Sequence, residues 1–501
     1  MLSVAGRSWL LVAVTVSVVA SAAEPTAPTR RPARAGGNDG LRAGAAVAEI
    51  TPEVGLPIVG NFVPVPSRAI HDPLHARCLV LDDGTTRVAL VVVDLLGIHR
   101  QVSDEARRRI LERHGIPPEA VLVAATHTHS APSAVDGPTE PPADGPRLDA
   151  FQEAVVAGVV AATGRALAAL RPAAAGFGSA EAPDHVFNRR WHMKPGTVPP
   201  NPFGDVDLVK TNPPAGSADL LEPAAPTDPT VAFLSVRDAA GRPLALLATY
   251  GLHYVGGTAA GDVSADYFAL FAAELARLLG TAGDGGPPVV MLANGASGDV
   301  NNIDARAPRT RADPYERMQL VAHDVAARVA AALPTVVHSP AIELDARYRE
   351  VEVERREPTA EQIAWARRTL AGPAAPPGRA DLPRIYAERV LALAAEPRVA
   401  RLPIQALRIG PGVIASLPGE VFCESGRDFV ARSALAPALL VSLAHGYAGY
   451  LPPARHHRLG GYETWLGTSR FVPGSIERLI DALVALTRDL AAAQSSGEAV
   501  D

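Results

Sequence analysis

Residues 87–96 read RVALVVVDLL and residues 121–130 read VLVAATHTHS; the reading of these two runs decides the fold. The first is apolar without alternation, as expected of a strand covered on both faces. Between them, 102–114 carries helical periodicity with many charges, and Pro117-Pro118 stops it. Strand, helix, strand in this order predicts a right-handed crossover and a parallel pair. In an extended strand, residues i and i+2 point the same way. His127 and His129 should therefore leave the second strand on one face. Two such imidazoles suit a metal or a proton-transfer network, or they are hydrogen-bonded structural histidines.

Outward from this unit, 148–170 predicts a long Ala-rich helix, and 231–236 with 244–250 a hairpin around Ala240-Gly241-Arg242. Helices are predicted over 265–279, 313–333, 359–371, 384–396, 419–434 and 476–493. Residues 289–293 and 438–443 read as strands, and the alternating stretch 341–354 as a more exposed antiparallel one. Residues 402–409 and 413–417 form a second hairpin at Gly410-Pro411-Gly412. The pattern is α/β, with a mixed central β-sheet flanked by helices. The Pro-rich stretch 194–229 is long for a loop, and such loops are often lids.

At the N-terminus, Arg7 precedes an apolar run (9–20) too short to span a membrane, and Ala20-Ser21-Ala22 fits a cleavage site. We expect a signal peptide over 1–22, the other reading being an uncleaved anchor, and hence a secreted or periplasmic protein. Residues 23–41 read as a disordered linker, 42–493 as the catalytic domain and 494–501 as a flexible tail. The chain is 48% apolar with a net charge of −6, so it can build a large core and lacks the basic blocks of a nucleic-acid partner. Cys78 and Cys423 permit one disulfide, but two buried thiols are the preferred reading.

Other candidates sit where strands or turns end, the usual place for catalytic groups in α/β sheets. His253 follows the strand LALLATYGL. Asp94 ends the 87–94 strand and is a candidate to orient a histidine. Glu420, in Leu417-Pro418-Gly419-Glu420, reads as a ligand or as a first-turn carboxylate complementing a helix dipole. Tyr447, in Gly446-Tyr447-Ala448-Gly449-Tyr450, reads as a ligand or as ordinary packing. Residues 294–302 (NGASGDVNN) follow a buried strand and could present backbone N–H groups to an anion or carbonyl oxygen; no GK[ST] follows, so this is not a Walker loop.

Together the runs AGAAVAEITPEVGLPIVGN, IHDPLHARCLVL, VALVVVDLLG, ATHTHSAPS, FNRR, DPTVAFLSVRD, SADYF, NGASGDVNN, LPGEVF and GYAGYLP resemble, in order, the neutral/alkaline (non-lysosomal) ceramidase family. The resemblance runs from about residue 42 to 485. It implies a ceramidase-like catalytic domain, here without the C-terminal immunoglobulin-like domain of the family. It implies Zn2+ held by His127, His253, Glu420 and Tyr447, with His129 near the substrate amide and Arg189 and Tyr462 beside the metal. Two imidazoles and a carboxylate suit zinc and leave room for water, whose pKa zinc brings to roughly 7. Attack on an amide carbonyl, with Tyr447, Tyr462 or Arg189 stabilising the oxyanion and His129 shuttling a proton, would give a fatty acid and a sphingoid base. The partner implied is a lipid-like small molecule, with transient membrane-surface contact. Where the family carries a serine in this loop, this chain has Asn301, which bears on substrate choice. The alternatives are a zinc hydrolase of another amide or ester, and a non-catalytic binding module on the same scaffold.

Overall fold

The computed structural model describes residues 40–135, 137, 145–280, 286–309, 311–376 and 380–495. The expected signal peptide, the linker up to residue 39 and the tail from 496 lie outside these. Leu41, at the end of the expected linker, is already buried and donates its amide to the Pro340 carbonyl at 2.7 Å.

Eight strands build the central sheet: β1 (Arg42–Glu49), β2 (His75–Asp82), β3 (Arg87–Val93), β4 (Val121–Ala125), β5 (Arg171–Glu181), β6 (Thr230–Asp238), β7 (Pro243–Tyr250) and β8 (Val289–Asn294). Their order is β8-β7-β6-β5-β1-β2-β3-β4. The pairs β3–β4 and β7–β8 are parallel and the rest antiparallel, so the sheet is mixed, as expected. Each parallel pair is closed by a helix, α1 (Arg100–His114) for the first and α3 (Asp266–Leu279) for the second. From Val88 on, β3 is buried at every position, which is why its sequence is apolar without alternation. The helix between them in sequence, α2 (Ala150–Ala168), opens with a reciprocal capping box between Asp149 and Gln152.

The sheet is coiled enough that its edge strand β8 packs against β2, β3 and β4 from the other side. The ends of β4 and β7, far apart in strand order, thus come together. Asn294, the last residue of β8, pins them: its Nδ2 donates to the Thr126 carbonyl at 3.0 Å and the His253 carbonyl at 2.9 Å.

A second sheet, β9 (Leu344–Glu354), β10 (Val399–Ile409), β11 (Gly412–Ser416) and β13 (Ala438–Val441), packs beside the first and includes the expected second hairpin. Between its last two strands lies β12 (Glu420–Val421), which pairs in parallel with β14 (Tyr450–Leu451). The helix expected over 419–434 therefore begins only at Cys423, because 420–421 is held extended against β14. The stretch 194–229 is not a bare lid. Val209–Thr211 and Leu220–Pro223 flank Arg190–Met193 as a three-stranded sheet, an ordered wall behind Arg189.

Cys78 and Cys423 are free and buried, and burial pushes the Cys78 thiol up to about 12. No helix among the described residues is long and apolar enough to cross a membrane.

Candidate metal centre

His127 follows β4 with φ +73°, a left-handed conformation that costs a β-carbon-bearing residue about 1–3 kcal/mol. The strand expected to carry both histidines thus ends at Ala125. The left-handed turn, rather than strand alternation, brings the rings of His127 and His129 together, with their Nε2 atoms 3.2 Å apart. His127 Nδ1 meets the Leu96 carbonyl at 2.7 Å and His253 Nδ1 meets the Ser297 carbonyl at 3.1 Å. A carbonyl only accepts, so each Nδ1 carries a proton, which leaves each Nε2 to hold a lone pair for an ion. Those two Nε2 atoms face one another at 3.0 Å.

Facing lone pairs repel unless a proton or a metal ion lies between them. Burial first, then His127, Arg189 and His129, hold His253 well below the ordinary histidine range. Burial, His127 and Arg189 do the same for His129. The fourth donor is Glu420 Oε2, 3.4 Å from both His127 Nε2 and His253 Nε2, and this buried oxygen has no hydrogen-bond partner. Burial pushes the Glu420 carboxyl up, but His127 and contacts from Tyr447 and Tyr450 outweigh it and keep it ionised. Ligands at 2.0–2.1 Å on a tetrahedral ion are separated by about 3.3 Å. The separations of 3.0, 3.2, 3.4 and 3.4 Å match that edge, so the residues present fit a zinc-sized ion.

His129, expected near the substrate amide, is one of the three clustered imidazoles. The hydroxyl of Tyr447, expected as a ligand, donates to the other Glu420 oxygen, Oε1, at 2.6 Å. Burial and then the Glu420 charge push the Tyr447 phenol well above its usual range, so it stays protonated and serves as a donor. Tyr450, which sequence reasoning passed over, faces Glu420 across the β12–β14 pair. Its ring lies parallel to that of His253, and its hydroxyl accepts from Arg189 Nη2 at 2.8 Å. Its signal was present in the same Gly-Tyr-Ala-Gly-Tyr run, but only the parallel register distinguishes the two tyrosines.

Arg189 is buried. It donates from Nε to Glu463 Oε1 and from Nη2 to the Gly298 carbonyl, each at 2.8 Å. Glu463, a second omission, is fully buried and also accepts from Arg190 Nη1 at 2.5 Å and from Thr211 at 2.7 Å. Tyr462 packs edge-on against Tyr450 and Phe62, and burial pushes its phenol up to about 12. The loop 294–302 works differently from its expected role. It offers carbonyls, those of Ser297 and Gly298, while the Gly298 amide is held by Val421 at 2.7 Å. Only glycine fits at 298, because a β-carbon there would lie 2.7 Å from the Glu420 carbonyl oxygen. Asp94 does not orient a site histidine: it pairs with Arg77 at 2.6 Å and takes the His75 amide.

Gly60 closes the site from the loop between Pro57–Ile58 and Val65–Pro66. It has φ +113°, and a β-carbon there would lie 2.6 Å from the His129 ring. Gly60→Ala should displace that ring and lower turnover by about 10²-fold, the usual effect of a 1 Å misplacement. Steady-state kinetics with metal analysis checks this, and an unchanged kcat would show that the ring position does not matter.

No family profile matches the chain, and no curated protein matches it. Solved structures do. The fold and the buried donor cluster define an α/β protein with, at its strand ends, a group of side chains that could hold a metal ion. More particularly, the fold is that of the neutral ceramidases. A neutral ceramidase from Pseudomonas aeruginosa superposes with TM-score 0.63 at 21% identity, over 90% of this chain and 75% of that one. A ceramidase complexed with C2 superposes with TM-score 0.64 at 19% identity, with the same coverage.

Proposed function

We propose that the protein is an exported zinc-dependent hydrolase that cleaves the N-acyl bond of ceramide or a related N-acyl lipid. The observation that carries this reading is the pair of imidazoles whose Nε2 atoms face at 3.0 Å beside the unpartnered Glu420 Oε2. His127, His129, His253 and Glu420 would hold the ion, which supplies Lewis acidity and brings bound water to a pKa of roughly 7. The rest of the work falls to side chains. Tyr447 and Tyr450 fix the carboxylate. Arg189, oriented by Glu463, places positive charge at the centre. Tyr462, whose hydroxyl has no partner among the described residues, is placed to donate to a developing oxyanion. His129, drawn into the donor cluster, is less suited to shuttling protons than the sequence suggested. The solved ceramidase complexed with C2 supports a lipid substrate. Exposed Val54, Leu56, Phe62, Val63 and Val65 next to the site favour contact with a lipid surface.

The test is hydrolysis of a short-chain ceramide by the mature protein, before and after chelation and with zinc restored. We expect about one zinc per chain and activity that disappears with the metal and returns with it. Turnover unaffected by complete metal removal would refute the metal role. Bound zinc without any acyl turnover would refute the hydrolase reading.

A further inference from the structure

Beside the donor cluster lies a cavity of about 520 Å3 whose lining includes Arg189, Asn212, Tyr254, Asn301, Asn302 and Arg309. Tyr254 joins it to the centre, stacking on His129 at 3.8 Å between ring centroids. Among the described residues no aspartate or glutamate lines it. Asp266 is committed to the backbone, taking the amides of Val255 at 3.0 Å and Gly256 at 2.8 Å. The asparagines are committed too. Asn301 bonds Asn212 and the Ile303 amide, and Asn302 bonds the carbonyls of Tyr254 and Val255. They set the shape of the wall.

The two arginines are different. Arg189 uses Nε and Nη2, and its Nη1 has no partner among the described residues. Its counter-charge, Glu463, is shared with Arg190, so that trio keeps one net positive charge. Arg309 forms no ion pair with a described residue. Two guanidinium groups with unpaired donors therefore border a cavity that Tyr254 joins to the donor cluster. A larger cavity of about 900 Å3, beyond Tyr447, is lined by both signs: its Arg100, Arg355, Arg401 and Arg470 pair with its own Glu350, Glu352 and Glu396.

Resting on the hydrolase reading, we propose that this cavity receives an anionic group, a carboxylate or a phosphate, on the amine side of the scissile bond. The preferred substrates are then N-acyl compounds carrying a negative charge near the amide rather than neutral ceramide. Guanidinium groups bind both oxyanions through paired N–H donors. Asn301 fits this reading, because it locks the wall to Asn212 instead of offering a free hydroxyl to a neutral headgroup.

The test compares octanoyl ceramide, octanoyl ceramide phosphate and N-octanoylglycine on wild type, Arg309→Gln and Arg309→Lys. We expect kcat/KM on at least one anionic substrate about 10-fold above that on the neutral one. The two anions tell phosphate from carboxylate. In Arg309→Gln the preference should collapse towards one through KM, and Arg309→Lys should retain part of it. Independently, calorimetry on chelator-treated protein should show N-octanoylglycine or octanoyl ceramide phosphate binding, weakened about 10-fold by Arg309→Gln. Equal kcat/KM on all three substrates, unmoved in Arg309→Gln, overturns the anion site and leaves the hydrolase standing. If no substrate turns over, the hydrolase reading fails and calorimetry decides: Arg309-dependent binding upholds the anion site, and its absence overturns it.

Discussion

Replacement of His253 by alanine is expected to empty the metal centre and reduce hydrolysis by more than the roughly 100-fold that marks loss of an outer-sphere partner. The ring supplies one of the facing Nε2 atoms, and it reaches that position because Asn294 holds its backbone and Ser297 its Nδ1. Without it, His127 and Glu420 keep their places but lose the donor that closes the tetrahedral edge. Zinc per chain should fall from about one to near zero after buffer exchange. The fold should survive. The variant removes one of two partners of the Ser297 carbonyl, which keeps the Val300 amide at 3.0 Å, so the cost is within the margin of a domain of this kind. Metal analysis and circular dichroism on the same sample separate the two effects. Tyr447→Phe is the companion: it removes only the donor to Glu420 Oε1, so it should keep zinc and lose about 10- to 100-fold in activity. Loss of zinc in Tyr447→Phe with retention in His253→Ala would reverse the assignment of these two residues.

The second large effect is expected at Glu463. It is fully buried between Arg189 and Arg190, at 2.8 Å and 2.5 Å. Glu463→Gln keeps the shape and removes the charge, leaving two buried guanidinium groups without their shared counter-ion. Breaking a buried pair from one side costs about 3–5 kcal/mol, a large share of the 5–15 kcal/mol typical of a domain. The denaturation midpoint should fall accordingly, and kcat with it, because Arg189 also holds Tyr450.

A pH dependence follows. Burial raises the Glu463 carboxyl, but Arg190, Arg189 and Thr211 outweigh it and hold it below the ordinary value. Its stabilising contribution is therefore present above the unfolded glutamate pKa of about 4.3 and is lost as pH falls through the lower folded value. Wild type and Glu463→Gln should converge in stability at acid pH and diverge above it. Parallel curves across that range would show that the charge does not act through this pair.

Much of this was legible in the chain. The unbroken apolar run of β3, the crossover helix and the run into β4 gave an α/β sheet with a parallel pair, because burial on both faces leaves a hydrophobic signature that periodicity cannot hide. His127, His253, Glu420 and Arg189 were also readable, since unusual polar residues at the ends of buried segments carry a local signal. Glu463 and Arg309 were not. A buried acid between two arginines looks like any surface Gly-Tyr-Glu turn, and an arginine matters only by what does not pair with it.

What the sequence determined by itself, then, is the class of fold and the chemical character of the donors, both properties of short segments. Tertiary structure decided the rest. The coil of the sheet brings the ends of β4 and β7 together, and the left-handed turn at His127 aims its ring. The β12–β14 register sets Tyr450, and not Tyr447, opposite Glu420. The reason is physical: coordination depends on separations of about 3 Å between atoms more than a hundred residues apart, and closure of the sheet fixes these where no local pattern can.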